Sequence, residues 1–303
     1  MIEYLIRSLK DEKLVKIESF KKGCWISVVD PSEKELKDLV DEYNLDEKNL
    51  LAGLDKNELP RVEFINKDVY IFFKIIPSDN KKELHTLLVI ITENFILILS
   101  KYKPGFIDNI LEGKIEFITT QKLKCLLKIM SMINKEFEKA TSSTVRLVNS
   151  KRKAFSELTN EDITDLLEQE EILNSFISSY QYTGLVYDRV LTKLKFFEQD
   201  KGIIEDLMIE AKQDSDLCKS SLKTILNIRD HFVVLLSNKL NKVITLLTVF
   251  TVFISVPAAV SGIYGMNVLL PFQDNPSIFG YIVLFIGLIW LVFLWYFNKM
   301  KIL

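Results

Sequence analysis

A chain of 303 residues with 39 basic and 41 acidic side chains, a net charge of −2 and a pI near 5.9 lacks the basic excess of a general nucleic-acid binder. Its two histidines, His85 and His231, leave almost no material for histidine-based zinc sites or for Ser-His and Cys-His catalysis. Cys24, Cys125 and Cys218 stand about a hundred residues apart, which gives neither a disulfide framework nor a metal-ligand spacing, so they read as buried, reduced thiols.

Met1 to Lys13 carries charges throughout and has no apolar stretch, so no cleavable signal is expected and the amino-terminal part is expected in the cytosol. Residues 1–118 alternate strand-like and helix-like pieces and predict an α/β domain. Trp25–Val29, Val69–Ile76, Leu84–Ile91 and Phe95–Leu99 are β-branched or aromatic runs bounded by Pro, Asn or charge. Ser32 followed by Glu35 predicts a capping box for a helix reaching about Tyr43.

Beyond Gly113 no proline occurs between Pro104 and Pro257, and only Gly184 and Gly202 punctuate the stretch, which predicts long helices. Residues 119–201 are expected to form an antiparallel helical hairpin. One stripe holds Leu123, Leu126, Met130, Ile133, Phe137, Ala140 and Thr144; the other repeats every seven residues at Leu166, Leu173, Tyr180, Tyr187 and Leu194. Thr159 with Asp162 predicts the cap between them. Residues 119–154 carry nine bases against two acids and 160–216 fourteen acids against five bases, so the two arms are expected to attract. After Gly202 a single stalk helix of roughly 60 residues, about 90 Å at 1.5 Å per residue, is expected to run through 263 and to act as a lever.

Val243–Ile263 and Ile278–Phe297 are uncharged runs, each long enough at about 1.5 Å per residue to cross the roughly 30 Å hydrocarbon layer. Trp295 and Tyr296 suit the interface. Lys239 and Lys242 precede the first span, Lys299 and Lys301 lie in or next to the basic tail 298–303, and the loop 264–277 has no Lys or Arg and a single formal charge, Asp274. That bias predicts an inner-membrane protein with both termini cytoplasmic. Two helices cannot enclose water, so conduction requires several copies around an axis. Composition draws a small or polar seam on the first span at Asn241, Thr245, Thr248, Ser255, Ala259 and Gly262.

The first span ends in Gly262-Ile263-Tyr264-Gly265-Met266-Asn267. With Trp25, Pro31-Ser32-x-x-Glu35-Leu36, Leu59-Pro60-Arg61-Val62-Glu63 and Ser237-Asn238-Lys239-Leu240-Asn241, this resembles the CorA family of magnesium transporters along nearly the whole chain. The resemblance implies a homopentameric funnel: an α/β cytoplasmic domain, long helical stalks and two C-terminal transmembrane helices, the first lining the pore. It implies Gly265, Met266 and Asn267 as selectivity filter and Asn241, Leu247, Thr251, Ser255 and Gly262 along the pore, one helix position away from the composition seam between 244 and 252. Where the family has a large apolar residue directly before proline, this chain reads Ser255-Val256-Pro257, which moves the expected dry constriction to Leu247.

The resemblance also implies closure by cytoplasmic Mg²⁺. The family's acid pair in the short helix before Pro60-Arg61-Val62-Glu63 falls on Leu51 and Ala52, while Asp206 matches the stalk acid. Asp55 and Asp230 are the replacements at hand, and weak closure is expected. The implied activity is uptake of hydrated divalent cations, Mg²⁺ with Co²⁺ or Ni²⁺ in second place, driven by the membrane potential. No enzyme activity, cofactor or nucleic-acid partner is expected, and Mg²⁺ is the transported and regulatory ion. The alternatives are a zinc or other transition-metal transporter on the same scaffold, with or without proton coupling, and a non-conducting membrane-anchored coiled-coil scaffold.

Overall fold

The computed structural model describes residues 1–77, 83–153, 158–268, 270–271 and 275–299, and divides into two compact units, Met1–Ile228 and Arg229–Leu303. Asp274 and Lys301, and the side chain of Tyr296, lie outside the described residues.

The first unit is built on a seven-stranded sheet in the order β2-β1-β3-β7-β6-β5-β4. The strands are β1 (Ile2–Ile6), β2 (Val15–Ile17), β3 (Trp25–Val29), β4 (Arg61–Ile65), β5 (Asp68–Ile75), β6 (His85–Ile91) and β7 (Ile96–Ser100). All neighbours are antiparallel except β3 and β7. That parallel pair needs a long crossover, which α1 (Glu33–Tyr43), α2 (Glu47–Ala52) and the β4–β6 meander supply. The sheet is covered on both faces, so β5, β6 and β7 are almost wholly buried and read as continuous apolar runs. Ile26, Val28, Tyr70, Phe72, Leu88, Ile90, Leu97 and Leu99 form one core with Leu36, Leu39, Leu45 and Leu50 of the α1–α2 region. On the other face the rings of Phe73 and Tyr187 lie 6.3 Å apart, and those of Trp25 and Phe117 5.1 Å.

That second face receives the hairpin of α4 (Lys122–Lys153) and α5 (Asn160–Lys193), which follows the short α3 (Gly105–Leu111). Leu126, Met130, Ile133, Phe137 and Thr144 of the first stripe and Leu166, Leu173, Tyr180 and Tyr187 of the second are buried. Both capping boxes form, at Ser32–Glu35 and at Thr159–Asp162. The attraction between the arms is realised at their turn, where Lys151 pairs with Asp162 and, at 3.2 Å, with Asp165. The Lys151 ammonium and the Thr159 N–H and hydroxyl hold the Asp162 carboxyl down to about 2.

The long helix α6 (Glu198–Tyr264) starts four residues before the expected boundary and contains Gly202. Glycine in a helix interior costs about 1 kcal/mol. Burial of Ile204, Leu207 and Ala211 in the next turns offsets that cost. Polar contacts fix α6 against the hairpin: the Tyr187 hydroxyl donates to Asn134 Oδ1 at 2.9 Å, and Asn134 Nδ2 donates to the Leu207 carbonyl at 3.0 Å. Further along, Thr141 and Tyr180 hydroxyls meet at 2.9 Å and the Tyr180 hydroxyl donates to Asp214 at 3.2 Å, a carboxyl that burial pushes up.

Tyr187→Phe deprives the buried Asn134 carbonyl oxygen of its donor. The expected cost is about 1–3 kcal/mol, the penalty of one unsatisfied buried acceptor, read as a lowered thermal midpoint of the purified full chain. An unchanged midpoint would show that this contact does not hold the three helices together.

Candidate ion pathway

In the second unit, the membrane half of α6 packs against α7 (Ile278–Lys299), and both helices are long and apolar enough to cross a membrane. The rings of Phe253 and Trp290 lie 5.4 Å apart, while Val260, Ile263 and Tyr264 share a cavity with Tyr281, Ile282 and Phe285, so the two helices run antiparallel. Val249, 9% exposed, and the half-buried Phe253, Val256 and Val260 make the packed stripe of α6.

At about 100° per residue the stripe turned away from α7 holds Leu247, Thr251, Ala258 and Gly262, with Ser255 at its margin. All five are exposed, Leu247 to 66%, and Asn241 is exposed two turns before Thr248. Thr245, a member of the composition seam, is half-buried one turn from Val249 on the packed side.

The hydroxyls of this helix are served locally. Thr248 donates to the Ile244 carbonyl at 2.8 Å, Thr251 to that of Leu247 at 2.9 Å and Ser255 to that of Val252 at 3.2 Å. Such back-bonding lets a hydroxyl sit in an apolar helix without an outside partner while keeping lone pairs for water. Pro257 has no N–H, so the Phe253 carbonyl loses its helical donor at mid-span.

The helix closes in a tight turn. The Gly265 N–H donates to the Ser261 carbonyl at 2.9 Å and that of Met266 to Ile263 at 3.3 Å. A Cβ at residue 265 would stand 3.1 Å from the Ser261 oxygen, so a glycine lets the chain fold this closely over the helix end. Met266 and Asn267 follow, both exposed, and the Asn267 amide has no hydrogen-bond partner among the described residues. An amide with free oxygen and nitrogen at a helix mouth can bind the water shell of an ion. In the last turns of α7, Trp295 is exposed and carries the Lys299 ammonium 5.2 Å from its ring centre.

The expected regulatory acids are scattered. Asp55 accepts from the Asn57 N–H at 2.9 Å in the turn after α2, Asp206 is exposed on α6 within the first unit, and Asp230 is exposed in the second unit. Leu51 is exposed and Ala52 is packed on the sheet core. Among the described residues no three His, Cys, Asp or Glu side chains gather to hold a metal ion within one chain.

One polar network escaped sequence reasoning. Arg61 pairs with Glu58 at 2.7 Å and with Glu63, donates to Asn49 Oδ1 at 3.1 Å, and lies 4.0 Å over the Phe72 ring; Asn49 in turn donates to Glu63 at 2.9 Å. The Pro60-Arg61-Val62-Glu63 segment therefore braces α2 against β4. Two acids within three residues of Arg61 were the available signal.

An α/β unit, a helix that continues from it into an apolar pair, and a Gly-Met-Asn turn at the end of the first apolar helix define a two-span membrane protein of ion-transporter type. The family model described as CorA-like Mg²⁺ transporter protein matches residues 20–299, and the chain belongs to that family. It is 26% identical over 289 residues to the cobalt/magnesium transport protein CorA of Methanocaldococcus jannaschii, covering 91% of this chain and 90% of that one. The complete structure of the M. jannaschii CorA magnesium transporter superposes with a TM-score of 0.85 at 22% identity, covering 99% and 98% of the two chains. Full-length CmaX gives a TM-score of 0.76 at 13% identity over 99% and 97%, and the ZntB cytoplasmic domain from Vibrio parahaemolyticus 0.65 at 8% over 78% and 98%. The chain is thus a membrane-embedded divalent cation transporter of the CorA family.

Proposed function

We propose that this chain carries hydrated Mg²⁺ into the cell through a pore at the centre of a homopentamer, with both termini in the cytoplasm. One observation carries the reading: the α6 stripe left open by α7 ends at an exposed Asn267 amide free of partners among the described residues. Mg²⁺ keeps its octahedral water shell tightly, so a ring of amides and backbone carbonyls can select the hydrated ion without stripping it. Entry of a divalent ion down a potential of 100 mV, inside negative, is favoured by roughly 4.6 kcal/mol, enough to drive uptake without ATP. The cobalt/magnesium activity in the name of the M. jannaschii relative supports the same ion class.

The second reading is a zinc or other transition-metal transporter on the same scaffold. Against it stands the chemistry of the open stripe, which offers amide, hydroxyl and carbonyl oxygens and no imidazole or thiolate.

In a narrow ring the five copies of Leu247 exclude water and form the dry constriction. Cytoplasmic Mg²⁺ closes the pore weakly, because Leu51 and Ala52 leave Asp206 without the facing carboxylates of the family; Asp55 and Asp230 supply what attraction remains.

Asn267→Ala is expected to abolish selective Mg²⁺ flux while the assembly keeps its native mass; pentamers with wild-type flux would refute the role of the amide ring. Leu247→Ser is expected to raise the leak at high internal Mg²⁺, since a hydroxyl wets the ring. If only a bulky side chain at Ser255 alters that leak, the constriction lies two turns higher. Current recorded against internal Mg²⁺ should decline gently, and Asp206→Ala should change it little. Half-closure at low millimolar Mg²⁺ that vanishes in Asp206→Ala would contradict weak closure.

A further inference from the structure

Glu136 on α4 is a half-buried carboxylic acid that the ion pathway does not use. It lines a cavity of about 470 Å³ within the first unit, whose walls are mostly apolar: Ile76 and Pro77 after β5, Ala140 on α4, and Ile172 and Phe176 on α5. One of its carboxyl oxygens is sealed from solvent and has no hydrogen-bond partner among the described residues. Among the described residues, the groups facing it can be named element by element. From α4 itself come the Lys139 ammonium and the hydroxyls of Ser143 and Thr144; α3 offers the Phe106 N–H; α5 brings the neutral Gln169; Ile76 and Pro77 bring no charge.

An ionised carboxylate in such walls, with one oxygen unbonded, is strongly disfavoured, whereas the protonated acid is not. Burial therefore pushes the Glu136 carboxyl up to about 7, against the opposing pull of Lys139 and the Phe106 N–H. Two residues earlier on the same helix, Asn134 donates to the Leu207 carbonyl of α6 and ties α4 to it.

We propose that Glu136 is a proton-operated switch: uncharged, it lets α4 seat against α3 and α5 around the cavity, and ionised, it draws water into the cavity and loosens that seat. Through Asn134 the loosening reaches α6. The folded acid keeps its proton to a higher pH than an unfolded glutamate near 4.5, so the stability it contributes is lost as pH rises from about 4.5 to about 7. The melting behaviour follows from the first unit alone; only the effect on flux rests on the transport reading above.

The test is the thermal midpoint of the purified full chain at pH 5, 6, 7 and 8, with Mg²⁺ flux at symmetric pH 6 and pH 8 as a second readout. Relative to Glu136→Gln, the wild type should lose stability across this range, the variant melting higher at pH 8. Lys139→Gln, a change at an exposed position, should move the fall of the Glu136 chain to higher pH, and it decides the matter if Glu136→Gln cannot be purified. Parallel pH profiles for wild type and Glu136→Gln, or an unmoved fall in Lys139→Gln, would overturn the switch. Wild-type flux equal at both pH values would overturn its transmission to α6.

Discussion

In hydrocarbon every backbone N–H and C=O must find its partner within the protein, and a lone pair of helices meets that requirement only by leaving no water between them. The architecture of this chain follows from that constraint. Apart from the Phe253 carbonyl opposite Pro257, its two apolar helices satisfy their own backbones, its span hydroxyls donate to carbonyls one turn back, and the stripe of α6 turned from α7 is left uncovered among the described residues. In the proposed assembly around an axis, the stripe with Leu247, Thr251, Ala258 and Gly262 faces water in place of lipid.

The first unit meets a different demand, that of holding a helix of 67 residues in a defined register. Apolar burial does most of this through Ile204, Leu207, Ala211, Cys218 and Ile225, but apolar contacts tolerate sliding. Directional bonds do not. The Tyr187–Asn134–Leu207 and Thr141–Tyr180–Asp214 contacts pin α4, α5 and α6 to one another at two levels. The Arg61 brace fixes α2 in a similar way, with a cation held between carboxylates and a ring face.

Much of this was legible in the sequence because the signals are local or periodic. Ser32 and Thr159 announce their helices through caps that span four residues, and the stripes of α4 and α5 are written at helical and heptad spacing. Two charge-free runs and the lysines around them mark the spans. The missed elements lack such signals. β2 has three residues and α3 seven, too short for a period to show, and α3 starts after Pro104 without a side-chain cap. Gly202 misled in the opposite sense, since its cost is local while the burial that overrides it comes from other helices. The rotation of α6 could not be read from composition, because Thr245 and Thr251 are the same residue type. What distinguishes them is Trp290, Phe285 and Tyr281, which lie far along the chain and cover one face of α6.

In the proposed mechanism hydrated Mg²⁺ passes a ring of uncharged oxygen donors under the membrane potential alone. Ion uptake into proteoliposomes holding the full chain, with an imposed inside-negative potential and no pH gradient, measures it directly for Mg²⁺, Co²⁺, Ni²⁺ and Zn²⁺ in parallel. The mechanism predicts Mg²⁺ entry that grows with the potential and is indifferent to a proton gradient imposed at constant pH on the side of the α/β unit. Zn²⁺ entry that requires a proton gradient, with no Mg²⁺ entry at any potential, would contradict it.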